Sequence, residues 1–274
     1  MLRILSSIQA LPAWLRCFCI PSSATIDIAS FISFSPNEES ITRDQLSPLA
    51  AALSRFRNSM IGSPLQFSDL DITRTSIRRL NLRGFCSSED RPSFSLSIHG
   101  GVGVDENIEE TLAEIVPTLP CSQVHSLTFR VCAEVDPECW RDVFGRMLLK
   151  SIIVDCKPAD GLMEALKPLM KNGKVDLSFF SLQELFLENP DFECSTTTEE
   201  FQECLASRKT AGAALLKLTC EGAYGLTIEN VERLKTVVTE VDWTPNLQPD
   251  VSPHPYWLLR GNENNYNPYD LNWW

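Results

Sequence analysis

The segment Leu182-Gln183-Glu184-Leu185-Phe186-Leu187 carries apolar side chains at its first, fourth and sixth positions. Further copies of this spacing recur along the chain, and they begin at Ile77, Val124, Leu149, Leu215 and Val238. The step is 33 residues from 149 to 182 and from 182 to 215, 25 from 124 to 149, and 23 from 215 to 238. A repeat of this length is one supersecondary unit that buries its apolar face only when neighbouring units stack on it. The sequence therefore predicts a stacked array.

The residues between the copies predict helices. Each segment opens with a residue type that commonly caps helix amides and continues with an amphipathic run. The predicted helix starts are Thr42-x-x-Gln45, Asp105, Asp136-Pro137, Asp160, Thr196-x-x-Glu199 and Thr227. The Asp136 carboxylate is expected to be a cap, and the helix from Asp160 is expected to run to Lys171. Alternation of strand and helix predicts an α/β fold with a mainly parallel sheet.

The first half of the chain has longer units. A repeat-spaced segment at 15–20 is followed by an alternating strand at 24–29, and 77–82 is followed in the same way by 93–98. We therefore predict two units of strand, extra strand and helix ahead of the shorter units. Residues 15–20 are expected to be the first strand.

Two parts of the chain differ in composition. Residues 1–243 are predicted to form one repeat domain. Residues 244–274 hold five prolines and many asparagines, and helical or strand periodicity is absent there. This tail is also aromatic, with Tyr256, Trp257, Tyr266, Tyr269, Trp273 and Trp274. It either caps the array or lacks a fixed structure.

The repeat spacing resembles a degenerate leucine-rich repeat, and three phrases extend the likeness. They are Leu182 to Leu187 before an acidic loop, Leu205-Ala-Ser-Arg208 before a leucine-rich strand, and the closing Val237-Val-Thr-Glu-Val-Asp-Trp243. Over most of residues 1–243 the chain resembles the fungal F-box/leucine-rich-repeat proteins. The resemblance implies a leucine-rich-repeat-like solenoid of irregular strand-helix units with a mainly parallel concave sheet.

In that family an N-terminal F-box docks a ubiquitin-ligase adaptor while the repeats hold the substrate. An F-box needs a three-helix segment ahead of the repeats, and here only Leu11-Pro12-Ala13-Trp14-Leu15 hints at one. We therefore expect a family member without its F-box, and contact with a ubiquitin-ligase adaptor only if an F-box is encoded upstream. The alternative is a truncated gene product with no independent role.

Composition argues against several classes of partner. The formal net charge is −12, the isoelectric point is near 4.8, and no basic run is present. Nucleic acid and anionic membrane surfaces would be repelled, and no window of about 18 apolar residues predicts a membrane span. Ten cysteines are scattered over the repeats and no Asn-x-Ser/Thr sequon occurs. We expect reduced thiols and an intracellular protein, cytoplasmic or nuclear.

Candidate catalytic and metal-binding patterns are incomplete. The glycine-rich turn Gly100 to Gly103 lies between a predicted strand and helix, but GxGxxG fails and no P-loop lysine follows. Cys121, His125, Cys132 and Cys139 include zinc-capable ligands but form no Cys-x-x-Cys knuckle. We expect no enzyme, cofactor or metal. An enzyme or nucleotide-binding protein that uses the glycine-rich turn is the alternative.

The repeat also predicts a surface. Positions 4 and 6 of each strand point inward, so positions 3, 5 and 7 point outward from the concave sheet. Ile153 and Phe186 are then apolar, outward and adjacent, where a partner's anchor would be desolvated. A column of charges is predicted beside them. The candidate partner-binding residues are Ile153, Phe186, Arg83, Arg130, Asp155, Glu188 and Glu221. The alternative is that the tail covers the two apolar residues.

Overall fold

The computed structural model describes residues 2–7, 10, 13, 25–31, 43–59, 66–76, 79–86, 94–99, 108–131, 133–155, 159–171, 174–193 and 197–245. The strands in this part of the chain are β1 (Leu2–Ser7), β2 (Ile26–Phe31), β3 (Asp69–Ser76), β4 (Arg79–Phe85), β5 (Phe94–His99), β6 (Ser126–Arg130), β7 (Ser151–Asp155), β8 (Leu169–Lys171), β9 (Lys174–Asp176), β10 (Glu184–Glu188), β11 (Lys217–Ala223) and β12 (Glu240–Pro245). The helices are α1 (Arg43–Ser59), α2 (Ile108–Ile115), α3 (Pro137–Cys139), α4 (Ala159–Leu166), α5 (Thr198–Thr210) and α6 (Ile228–Leu234). A 3₁₀ turn, Val116–Thr118, extends α2, and a π-helical segment, Trp140–Phe144, extends α3.

Ten strands form one sheet in the order β1-β2-β5-β4-β3-β6-β7-β10-β11-β12, and β8 pairs with β9 in a separate hairpin. The pairings of β4 with β3 and with β5 are antiparallel, and the other pairings of the large sheet are parallel. From β6 to β12 the strands of the large sheet follow chain order. The prediction of an α/β fold with a mainly parallel sheet is confirmed.

The 1-4-6 spacing predicts burial correctly in the units that begin at Val124, Leu149, Leu182 and Leu215, while Val241 and Trp243 of the last unit are only half-buried. The first positions Val124, Leu149, Leu182, Leu215 and Val238 are all buried. So are the fourth positions Leu127, Ile152, Leu185 and Leu218 and the sixth positions Phe129, Val154, Leu187 and Cys220. Parallel pairing without a shift places equal positions beside each other, as Leu185 beside both Ile152 and Leu218 shows. The inward rows therefore stack into one continuous core.

Helices supply the other side of this core. Leu162 and Leu166 of α4 and Phe201 of α5 are fully buried in the cluster that also contains the strand leucines. An aromatic group sits under β6, with the Phe129 and Trp140 ring centroids 4.7 Å apart and those of Trp140 and Phe144 5.2 Å apart. Burial of large aromatic rings dominates core energetics, so this group holds the π-helical segment against the sheet.

One predicted repeat strand is assigned to the wrong segment. The unit proposed at Ile77 corresponds to β4, which runs antiparallel to its neighbours. The strand beside β6 is instead β3, and Phe67, Leu70 and Ile72 supply the buried first, fourth and sixth positions. Leu80 and Leu82 of β4 are also fully buried. Alternation buries the same side chains in either strand direction, so the spacing could not reveal the reversal.

Two helix caps differ from prediction. The capping box is Thr197 with Glu200, one residue after the predicted pair: Thr197 Oγ1 accepts from the Glu200 amide at 3.3 Å, and the Glu200 carboxylate accepts from the Thr197 amide at 3.1 Å. Asp136 makes no side-chain cap; its amide donates to the Glu109 carboxylate at 2.6 Å. The predicted start at Thr227 is confirmed, since its hydroxyl accepts from the Asn230 amide.

The helix that begins at Ala159 ends earlier than predicted. It stops at Leu166, and residues 169–171 form β8. Pro168 explains the difference, because proline disfavours helical geometry in the residue before it and has no amide to donate. The chain there is held by Arg208 of α5, whose fully buried guanidinium donates to the carbonyls of Leu166, Ser178 and Phe179 at 2.8 to 3.0 Å.

Several predictions fall outside the described residues. They are the strand at 15–20, the helix starts at Thr42 and Asp105, the glycine-rich turn at 100–103, Cys132, and the tail from residue 246 onward. The extra strands predicted at 24–29 and 93–98 are confirmed as β2 and β5, and the helix predicted over 42–60 is confirmed as α1. The first described strand is β1, which the repeat spacing did not indicate.

Candidate interaction surface

The side of the large sheet opposite the buried leucines is formed by alternate residues of six parallel strands, β3, β6, β7, β10, β11 and β12. We call this surface, as the described residues form it, the open face. Its central row is Asp71, Thr128, Ile153, Phe186, Thr219 and Asp242. The flanking rows are Asp69, Ser126, Ser151, Glu184, Lys217 and Glu240 on one side, and Thr73, Arg130, Asp155, Glu188, Glu221 and Thr244 on the other.

Ile153 and Phe186 form the apolar centre of the open face. They are register partners on β7 and β10 and both are half-buried. Thr128 and Thr219 continue the row on either side. Two large apolar side chains held side by side on rigid strands give a partner a preorganised contact area. The predicted adjacency of these two residues is thus present in the structure.

Arg130 is bound to Glu188 across the face. Its Nε donates to Glu188 Oε2 at 2.8 Å and its Nη2 donates to Oε1 at 2.5 Å. The two residues belong to strands separated by β7, so the pair bridges over that strand. The hydrogen bond with Glu188 raises the pKa of Arg130. A bidentate pair fixes both side chains, so neither charge points freely at solvent.

Lys217 is bound in the same way at the far end of the sheet. Its Nζ lies 2.7 Å from Glu240 Oε1 and 2.7 Å from Asp242 Oδ2. The hydrogen bonds with Asp242 and Glu240 raise the pKa of Lys217. One ammonium group thereby serves two carboxylates, which leaves this end of the face negative.

Arg83 does not lie in the charge column predicted for it. Because β4 is antiparallel, Arg83 pairs in register with Asp71 and sits one row away from Arg130. Its Nη1 lies 4.0 Å from Asp71 Oδ2. Burial raises the pKa of Asp71, while Arg83 and Arg130 lower it, and Asp71 Oδ1 is buried without a hydrogen bond.

The remaining predicted site residues are carboxylates. Asp155 is half-buried beside Glu188, and Glu221 is exposed on β11. Glu184, which precedes Phe186 on the same face of β10, is exposed as well. The structure therefore brings Ile153, Phe186, Arg130, Asp155, Glu188 and Glu221 onto one surface and places Arg83 at its border.

A second concavity lies on the helix side and was not predicted. This cleft has a volume of about 620 Å³ and is lined by Glu109, Glu134, Val135, Asp136, Pro137, Asp160, Gly161, Met163, Glu164, Lys167, Glu200 and Cys204. Its residues come from segments far apart in sequence, so no local spacing could indicate it. Gly161 is required there, since a Cβ atom would lie 1.7 Å from the Val135 carbonyl oxygen.

Three of the four candidate zinc ligands, Cys121, His125 and Cys139, lie in the described part of the chain. Cys121 is buried, His125 is exposed, and no group of three His, Cys, Asp or Glu side chains in the described ranges could hold a metal ion. Among the described helices, none is long and apolar enough to cross a membrane.

Comparison of the chain with protein-family models, with curated proteins and with solved structures finds no match.

Proposed function

We propose that this chain is a non-catalytic protein-interaction module, built as a leucine-rich-repeat-like solenoid whose open face binds another protein. The observation that carries the proposal is the half-buried pair Ile153 and Phe186 at the centre of that face. The buried strand leucines do not require apolar side chains on the opposite side of the sheet, and apolar side chains that remain partly accessible there are typical of recognition surfaces.

The size of the open face favours a protein over a small ligand. Six neighbouring strands at about 4.8 Å spacing make a surface about 24 Å wide. Such a width suits the dimensions of a protein interface and not those of a closed small-molecule pocket. Rigid strands also keep the contact residues in place before binding, which lowers the ordering cost.

The role proposed for the module is that of the substrate-recognition repeats of an F-box ubiquitin-ligase subunit. The support is the repeat spacing and the parallel register of equal positions from β6 to β12. A ubiquitin-ligase adaptor belongs to this proposal only if an F-box is encoded upstream. We also propose an intracellular location, supported by five free thiols in the described residues, all buried or half-buried.

The test uses a partner captured from lysate and then purified, with binding measured by surface plasmon resonance. Phe186→Ala is expected to raise the dissociation rate and to cost on the order of 2 kcal/mol of binding free energy, because truncation of a central aromatic anchor removes its contacts. Ile228→Ala truncates an apolar side chain that is 67% exposed on α6, away from the open face; it is the matched control and should bind as the unaltered chain does.

The contrary outcome is equally concrete. If Phe186→Ala binds as tightly as the unaltered chain while removal of residues 246–274 abolishes binding, the open face is not the recognition element. The aromatic segment would then hold that role.

A further inference from the structure

The open face carries a large excess of negative charge. Its acidic residues are Asp69, Asp71, Asp155, Glu184, Glu188, Glu221, Glu240 and Asp242. Its basic residues are Arg130 and Lys217. An excess of this size over one surface produces a potential that extends beyond individual contacts and selects partners by sign.

The two basic groups are already engaged within the face. Arg130 is held bidentately by Glu188, and Lys217 is shared between Glu240 and Asp242. At the border, Arg83 faces Asp71 at 4.0 Å. An acidic partner would have to break one of these pairs to find a cation, which would leave the displaced carboxylate unpaired.

The apolar centre is bracketed by carboxylates. Glu184 and Glu188 lie two residues before and two residues after Phe186 on β10, which puts them about 7 Å away on either side. Glu221 lies on β11 in the register of Glu188. A ligand side chain that contacts Phe186 therefore meets the Glu184 carboxylate on one side. On the other side Glu188 is paired with Arg130, and the Glu221 carboxylate beside it supplies the negative charge.

We infer that the partner presents a basic segment to the open face, with an apolar side chain on the Ile153 and Phe186 pair and Lys or Arg residues on both sides of it. This inference rests on the proposed function. The carboxylates supply charge complementarity and fast association, and the apolar pair supplies the contact that slows dissociation. Face-to-face pairing of two copies of the chain does not fit, because both open faces carry the same excess charge.

Three synthetic peptides of equal length test the inference by fluorescence anisotropy with the purified full chain. The first has a central Phe flanked by lysines. The second keeps the lysines and replaces the Phe by Gly, and the third keeps the Phe and replaces the lysines by glutamates. We expect the first peptide to bind tightest, with an affinity that falls as salt is raised.

Two variants locate the binding. Phe186→Ala should weaken the first peptide about tenfold, since one well-packed anchor is worth at least that much. Glu184→Gln combined with Glu221→Gln should weaken it about threefold and flatten its salt dependence. Glu138→Gln combined with Glu203→Gln removes the same net charge from exposed positions off the face and should leave the affinity unchanged.

The possible outcomes distinguish failure of the basic-segment inference from failure of the proposed function. Phe186-dependent binding of the third peptide, equal to or tighter than that of the first, overturns the basic-segment inference and leaves the interaction surface standing. Equal losses in the two double variants also overturn it, because net charge alone would then explain the attraction. Failure of Phe186→Ala to affect any of the three peptides overturns the basic-segment inference, and it contradicts the proposed function as well only when the captured partner also binds Phe186→Ala as tightly as the unaltered chain.

Discussion

The helix-covered face and the open face of the same six strands have opposite properties. On β10, Leu185 and Leu187 are each 1% exposed, while Phe186 between them is half-buried on the other side. The inward rows are apolar in every strand, whereas the outward rows hold charges around a single apolar pair. Adjacent residues of one strand therefore have different roles. The inward residues stabilise the array, and the outward residues are free to vary with the ligand.

The largest effect should come from a charge on the covered face. Leu185→Asp places an unpaired carboxylate in the core and is expected to cost about 4 kcal/mol or more, which is most of the unfolding free energy of a marginally stable domain. Phe186→Asp, one residue further along the strand, should change the unfolding free energy by less than about 1.5 kcal/mol. Urea unfolding followed by circular dichroism measures both. Equal losses would remove the assignment of the two faces.

A comparison of two arginines should give the next largest effect. Arg208→Met leaves the carbonyls of Leu166, Ser178 and Phe179 without their donor in a buried site, and we expect a loss of about 3 kcal/mol. Arg130→Met removes an exposed pair on the open face and should cost less than about 1 kcal/mol. Thermal unfolding of the two variants measures the difference. A greater loss for Arg130→Met would mean that the open-face charge pairs are structural.

The sequence pattern predicts which residues of a strand face the core and which face away from it. Burial of Leu185 and Leu187 follows from alternation, and so does the outward position of Phe186. The spacing carries no information on strand direction, so it indicates Ile77 instead of Phe67 as the first position of the unit and places Arg83 in the row of Arg130. Tertiary contacts such as the Arg130 to Glu188 pair depend on the order of strands, and the helix-side cleft depends on four separate segments meeting.

Cysteine thiols that are buried on the helix-covered side of the sheet should react slowly with alkylating agents. Burial raises the pKa of Cys204 to about 11 and the pKa of Cys220 to about 12. Only the thiolate reacts with the alkylating agent. At a pH below the ordinary pKa of a cysteine thiol, alkylation of Cys204 should therefore be about a hundredfold slower in the native chain than in urea. Mass spectrometry of time points measures the rates. Fast native labelling of both would show that these positions are open to solvent, and a persistent deficit of two labels in urea would reveal a disulfide.

The smallest expected effect is a dependence of the unfolding free energy on pH, caused by Asp71 at the border of the open face. Burial raises the pKa of Asp71 in the folded chain, so its ionisation opposes folding. The stability that the protonated Asp71 side chain contributes is fully present below the pKa of this group in the unfolded chain. It is lost as the pH rises through the pKa of Asp71 in the folded chain. Asp71→Asn should therefore be more stable than the unaltered chain at pH 7 by less than about 1 kcal/mol, and this advantage should vanish as the pH falls below 3.8. Lower stability of the variant at pH 7 would mean that Arg83 and Arg130 outweigh burial.

Site-specific photo-crosslinking tests most directly whether the open face is where a partner protein docks. Purified chain carrying photoreactive p-benzoylphenylalanine at position 186 is irradiated in a cell lysate, beside a control with the same group at Ile228, which is 67% exposed on α6. We predict a discrete protein adduct at position 186 that the lysine-flanked Phe peptide competes away, and no such adduct at position 228. The same adduct at both positions, or an adduct at 228 alone, would contradict the assignment of the open face as the interaction surface.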